Sequence, residues 1–218
     1  MSRKISGAAA IVVAAAVLAP GLSSAEAGLS KGVKVGLNMA TATGADADAK
    51  TVTGNSGATK GSVTGIAAGL FAGIGLPVLP LSFEIEALYS MKGAKYEWGG
   101  NSSTTKLAYL DIPVLVKLDI LPLGPVKVGV FAGPSMGILM SAKNELKLGS
   151  DTSSTDIKDS LNSSDLGLVV GVGVGLPMGL SADVRYSMGL SKLAKDVSGV
   201  TTPERKNGVI SLMVGKSF

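Results

Sequence analysis

The chain has no cysteine and no histidine. The first absence excludes disulfides, thiolate metal sites and thiol nucleophiles. The second removes the commonest general base and metal ligand. Aromatic residues make up only 4%, so any aromatic belt is thin, with Tyr89, Tyr96, Trp98, Tyr186 and Phe218 as its candidates. No block of Lys or Arg stands out, and a net charge of +4 gives nucleic acid little to bind. After residue 27 no apolar run is long enough for a spanning helix. No residue pattern marks a cofactor or a metal.

Apolar residues and glycine are what the chain has in quantity: 46% and 30 residues. The front reads as a secretory signal peptide. Arg3 and Lys4 form a basic start, Ile5–Leu18 is apolar and alanine-rich, and Pro20-Gly21 breaks it. Ala25-Glu26-Ala27 is a small-x-small cleavage site, with Ser23-Ser24-Ala25 as a second choice. The expected division is therefore a signal peptide over 1–27 and a single domain over 28–218. Cleavage after Ala27 removes Arg3, Lys4 and Glu26 and lowers the net charge from +4 to +3.

The mature chain alternates with a period of two almost throughout. Val33, Val35, Leu37 and Met39 alternate with Lys34, Gly36 and Asn38. Similar runs cover 66–74, 81–92, 109–118, 126–133, 166–176 and 180–190. The chain ends on a further one, with Ile210, Leu212, Val214 and Phe218 on one face. Eight strands of roughly 10–13 residues match what crosses a membrane at a tilt. Alternation alone fits a soluble sandwich equally well.

The connections separate the two. Those at 42–61, 94–104, 142–164 and 193–206 are long and polar; those at 75–80, 119–125 and 177–179 are short. Long and short alternate strictly, so up-and-down strands collect every long connection at one end. This is the outer-membrane arrangement of external loops and periplasmic turns. The expected fold is all-β: an eight-stranded antiparallel up-and-down transmembrane barrel. Strand eight must pair with strand one (Lys31–Thr41) to leave no open edge in lipid. A C-terminal strand closed by Phe218 also reads as an assembly signal.

Four segments carry a family resemblance: Glu86-Ala-Leu-Tyr-Ser-Met-Lys-Gly93, Leu110-Asp-Ile-Pro-Val-Leu-Val-Lys117, Phe131-Ala-Gly-Pro-Ser-Met-Gly137 and Asp183-Val-Arg-Tyr-Ser-Met-Gly-Leu190. In this order they resemble the PorT-type outer-membrane β-barrel proteins, relatives in shape of the OmpA transmembrane domain. The resemblance covers nearly all of the mature chain. It implies a barrel in the bacterial outer membrane and no shared enzymatic activity. Some members of the family resemble secretion-accessory proteins.

Strand parity places Lys34, Glu84, Glu86, Asp111, Lys117, Lys127, Asp183 and Arg185 inside the barrel. Buried charges are costly unless paired, so a mixed ion-pair network is expected, with Arg185 as hub because guanidinium takes several carboxylates. It is either a permanent plug or a gate across a narrow pore; an eight-stranded interior favours the plug. Glu84 and Glu86 share a face, as glycosidase carboxylates do, but such an interior offers no substrate cleft. Gly171-Val-Gly173-Val-Gly175 lacks the helix of a phosphate loop and instead makes room for Phe71, Phe131 and Tyr109. Pro113 and Pro134 are expected at bulges or strand ends. Asp156–Leu161 is a candidate short helix. Asp46, Asp48, Asp151, Asp156 and Asp159 lie on loops, where solvation competes with cation or host-surface binding.

The expected function is non-enzymatic: a structural or surface-interaction protein acting through its external loops. The alternatives are a narrow pore or secretion accessory and, third, a lipid-modifying enzyme. Expected partners are outer-membrane lipid, the barrel-assembly machinery and an external ligand or host surface, with no nucleic acid and no cofactor.

Overall fold

The computed structural model describes residues 28–77, 79–195 and 204–218, apart from the side chain of Pro122. The expected signal peptide, Val78 and residues 196–203 of the last long connection lie outside the described residues. Ten strands form among the described residues: β1 Leu29–Thr43, β2 Thr59–Gly61, β3 Val63–Gly75, β4 Leu81–Trp98, β5 Asn101–Leu123, β6 Val126–Leu148, β7 Asp151–Asp156, β8 Ser164–Leu176, β9 Leu180–Gly189 and β10 Lys206–Ser217. One helix, α1, spans Ala49–Thr53, and 3-10 turns cover Lys158–Ser160 and Pro177–Gly179.

Every pairing is antiparallel, and eight strands close a ring in the order β4-β3-β1-β10-β9-β8-β6-β5, with β5 returning to β4. The expected count of eight is thus corrected to ten. The two additional strands are short: β2 lies on the far end of β4 and β7 on the far end of β6. Closure falls between β1 and β10, running from Gly32↔Ser217 to Thr43↔Lys206. The Phe218 amide donates to the Lys31 carbonyl at 3.0 Å, so no sheet edge is left between the first and last strands.

The apolar parity faces outward. Val35, Leu37 and Met39, Leu166 and Val172, and Leu212 and Val214 are all exposed. The polar parity faces inward, where Lys34, Asn38, Glu84, Glu86, Ser90, Asp183, Arg185 and Ser211 are buried. This is the inverse of a soluble core and the arrangement of a barrel in lipid. No helix among the described residues is long and apolar enough to cross a membrane.

Several strands exceed the expected length. β4 has 18 residues and β5 and β6 have 23 each. The polar stretches 94–104 and 142–164 are therefore mostly sheet rather than loop. Two glycines explain the first. Gly99 (φ 51°) and Gly100 (φ 82°) supply the paired positive φ of a two-residue hairpin turn. The ladder then continues from Trp98↔Asn101 down into the barrel. Gly149 (φ 59°) begins the equivalent turn between β6 and β7.

Pro113 and Pro134 also behave differently from expectation. Pairing of β5 with β6 keeps its register from Pro113↔Ser135 to Val116↔Ala132, and β4 with β5 from Ile85↔Val114 to Leu88↔Asp111. Both prolines sit mid-strand, and the missing N–H interrupts the ladder locally without a slip. The register shifts lie at Ala108/Tyr109 and Asp119/Leu121. Inward glycines make room for aromatic rings, as expected. A Cβ on Gly171 would lie 2.4 Å from the Phe131 ring and one on Gly32 2.7 Å from Phe71.

Candidate functional site: the barrel interior and its outer collar

Parity on eight tilted strands stacks the interior in tiers. The tier nearest the short turns is ionic. Lys34 Nζ donates to Glu84 Oε1 at 2.6 Å and to Glu86 Oε1 at 2.5 Å, and lies 3.7 Å from Asp183. Arg185 forks twice. Nη1 and Nη2 reach Glu86 at 2.6 and 3.1 Å, while Nε and Nη2 reach Asp183 at 2.7 and 2.9 Å. Lys117 Nζ donates to Glu84 Oε2 at 3.0 Å. Phe131 lies under the cations, 5.2 Å from the Arg185 guanidinium and 5.7 Å from Lys117 Nζ. Six of the eight charged residues singled out by parity meet here, three acids with three bases. Lys34 contacts three carboxylates and Arg185 two, so Arg185 shares the centre with Lys34.

The other two lie elsewhere. Lys127 is exposed at the short-turn rim, 3.8 Å from Asp119. Asp111 is higher in the barrel, where it accepts from Lys92 Nζ at 2.9 Å. The expected inward set left out Lys92, which shares the inward face of β4 three and four positions of that face beyond Glu86 and Glu84; that shared parity was the available signal.

Above the ion cluster Leu88, Met213 and Ala67 pack together, while Leu115 and Val169 pack with Phe131 beside the cations. A neutral polar tier follows. Asn38 Nδ2 donates to Ser90 Oγ at 3.0 Å, and Ser211 Oγ donates to Asn38 Oδ1 at 2.8 Å. The uppermost tier holds Lys92, Asp111, Tyr109, Asn207 and Asp165, with Asn207 Nδ2 donating to Asp165 Oδ2 at 2.7 Å. The inside is a packed polar column, as eight staves dictate. A cavity of about 380 Å³ enters from the short-turn end and stops at Glu84, Lys117 and Asp183.

Beyond the uppermost tier the long connections lock into a collar. α1 packs Ala49 against Ala42, Ala47, Ala94 and Tyr96, and Tyr96 OH donates to the Ala47 carbonyl at 3.3 Å. Gly54 (φ 71°) caps this helix through its N–H to Lys50 O. The Glu204 amide donates to Asp46 Oδ2 at 2.7 Å, tying the first connection to the last. Asn162 Nδ2 donates to the Lys192 and Ala194 carbonyls at 2.9 and 3.0 Å, tying the fifth connection to the last. The 3-10 turn at Lys158–Ser160 falls within the candidate helix Asp156–Leu161. Burial pushes the Tyr96 phenol up from its ordinary value, and the charge of Arg205 works the other way. On the exposed rim, hydrogen bonding to Lys206 holds the Glu204 carboxyl below its usual range.

Phe218 is 63% exposed at the short-turn end. Lys216 Nζ, two residues earlier, donates to the Met178 carbonyl in the adjoining turn.

The sequence matches the model of the family described as outer membrane protein beta-barrel domain over residues 23–195. No curated protein matches it significantly. Among solved structures it is similar to Neisserial surface protein A (NspA), with 20% identity over 88% of this chain and 99% of that one, at a TM-score of 0.44. It is also similar to Ail, the attachment invasion locus protein of Yersinia pestis, with 14% identity over 87% and 98% of the two chains and a TM-score of 0.42. A structure of Ail in complex with the heparin analogue sucrose octasulfate gives 13% identity over 87% and 99%, and a TM-score of 0.41. The chain belongs to the family of outer membrane protein beta-barrel domains, and the bacterial outer membrane is where it resides.

Proposed function

We propose that the protein is a non-enzymatic integral outer-membrane barrel with a structural or surface-interaction role, exercised through its external collar. The observation that carries this reading is the contrast between the two parts of the molecule. The interior is closed by an ion cluster in which Lys34, Glu84, Glu86, Asp183 and Arg185 are almost wholly buried. The long connections are built out into hairpins, a helix and cross-tied turns, more structure than solvation alone requires. In this reading the long connections face outward from the cell, and the short turns face the periplasm. Lipid covers the apolar band, and the barrel-assembly machinery reads the last strand through Phe218. An external ligand or a host surface meets the collar.

The test is adhesion of cells carrying the intact protein to immobilised polyanionic and protein surfaces. It is compared with a variant in which the β6–β7 hairpin is shortened to a two-residue turn between Asn144 and Thr155, which face each other in the ladder. Loss of adhesion with an unchanged amount of folded barrel is expected. Equal adhesion by both proteins to every surface would refute the reading.

The finer assignment to PorT-type barrels rests on the four segments at 86–93, 110–117, 131–137 and 183–190. A role as a secretion accessory would follow from it, and deletion of the protein would then reduce secreted cargo in the medium. Residues 1–27 are proposed to be a signal peptide, so protein recovered from the outer membrane should begin at Gly28.

A further inference from the structure

One cavity belongs neither to the polar column nor to the collar's outer surface. It has a volume of about 200 Å³ and lies between them. Its walls are Ala94, Tyr96, Leu107, Ile157, Leu161 and Leu193. The side chains come from β4, β5 and the fifth and last connections, and Leu107 is 2% exposed. An engineered apolar cavity of about 150 Å³ accepts a benzene ring. This one is larger, and its wall is not purely apolar.

Arg205 lines it half-buried. Its backbone carbonyl accepts from the Leu193 amide at 2.8 Å. Its guanidinium has no hydrogen bond or ion pair among the described residues, whereas Lys34, Lys92, Lys117 and Arg185 each have a carboxylate. A guanidinium partly withdrawn from water, with no anion beside it among the described residues, carries a desolvation cost that a bound anion would offset. Asn144 is a second polar group on the wall. Its Oδ1 accepts from Ser103 Oγ at 3.1 Å, which leaves its amide nitrogen as a donor.

We propose that this cavity is a binding site for a medium-chain carboxylate. The carboxylate would sit on Arg205 and Asn144, with an apolar chain of about six to eight carbons among Leu107, Ile157, Leu161 and Leu193. The site lies inside the collar, so it stands or falls separately from adhesion at the outer surface. Trp98 is the only tryptophan and packs on the cluster that contains Ala94 and Tyr96, which makes it a reporter of occupancy.

The experiment titrates the full barrel in lipid nanodiscs and follows Trp98 fluorescence, with octanoate, octanol, octylammonium and acetate as probes. Octanoate should saturate and bind about tenfold or more tightly than octanol, the ratio expected for a hydrogen-bonded charge. Each carbon removed should weaken binding about fourfold. Octylammonium and acetate should give no saturable change. Arg205→Gln should bring octanoate down to the affinity of octanol. Ala94→Phe should fill the cavity and abolish both. Heat-modifiable gel mobility checks that each variant is folded; if Ala94→Phe is not, Arg205→Gln carries the test alone. Octanol binding as tightly as octanoate, or octanoate binding unchanged by Arg205→Gln, would overturn the proposal, as would a signal identical in empty nanodiscs.

Discussion

Single side chains explain most of what is unusual about this barrel. Met178 is the one non-glycine residue with positive φ among the described residues (φ 63°), in the tight turn that joins β8 to β9. The left-handed region costs an L-residue roughly 1–2 kcal/mol, and asparagine tolerates it better. Met178→Asn should therefore stabilise the barrel by about 0.5–1 kcal/mol, read from urea unfolding in lipid vesicles; the side chain is 83% exposed, so little packing is lost. Tyr96 makes a pH-dependent contribution. Its phenol titrates above the ordinary 10.0 in the folded collar because burial disfavours the phenolate. A raised folded value adds stability that is fully present below about pH 10 and is lost as pH rises through the higher folded value. Trp98 fluorescence should report the collar loosening on the alkaline side of pH 10, and Tyr96→Phe should remove that step. A titration curve identical in both proteins would show that Tyr96 does not drive it.

Element by element, some of the molecule was legible in residue order and some was not. Period-two alternation marked every stave of the ring, because an outward Val or Leu and an inward Lys or Glu leave a strong signature on a two-sided sheet. Pairing of β1 with β10 followed from the intolerance of lipid for open edges. The outer hairpins did not follow. Ser, Thr, Asn and Gly at 99–105 and 149–156 have the composition of a loop, and only the Gly99-Gly100 turn betrayed a continuing ladder. Parity assigned eight charges to the inward face but could not say which of them meet. That depends on strand tilt and stagger, which brought Lys34 of β1 to Glu86 of β4 and Arg185 of β9 while leaving Asp111 to Lys92. The pairing has an energetic consequence. Removing one partner leaves uncompensated buried charge, so Arg185→Gln should cost roughly 3–5 kcal/mol. Glu86→Gln combined with it should cost clearly less than the sum of the two single changes, since the residues are in direct contact at 2.6 Å. Additive losses in vesicle-based unfolding would mean that the two residues do not act as a unit.

For the whole molecule, the decisive question is whether the column through the barrel is a plug or a gate. The ion cluster balances Glu84, Glu86 and Asp183 against Lys34, Lys117 and Arg185, so it presents no net charge to draw an ion inward. Beside it Leu115 is fully buried and Phe131 is 5% exposed, so apolar side chains stand where water would have to pass the cluster. The cavity of about 380 Å³ at the short-turn end stops where these residues begin. Ions would have to displace paired, hydrogen-bonded side chains, and the intact protein in a planar bilayer should therefore show no steady openings. Arg185→Ala removes the largest member of the cluster and leaves it with one more acid than base. If the column is what blocks passage, that variant should open intermittently, with cations favoured over anions because Glu86 and Asp183 are then short of a partner. Steady ion-selective openings in the unaltered protein would instead make the cluster a gate and the barrel a narrow pore, with the collar as its external entrance.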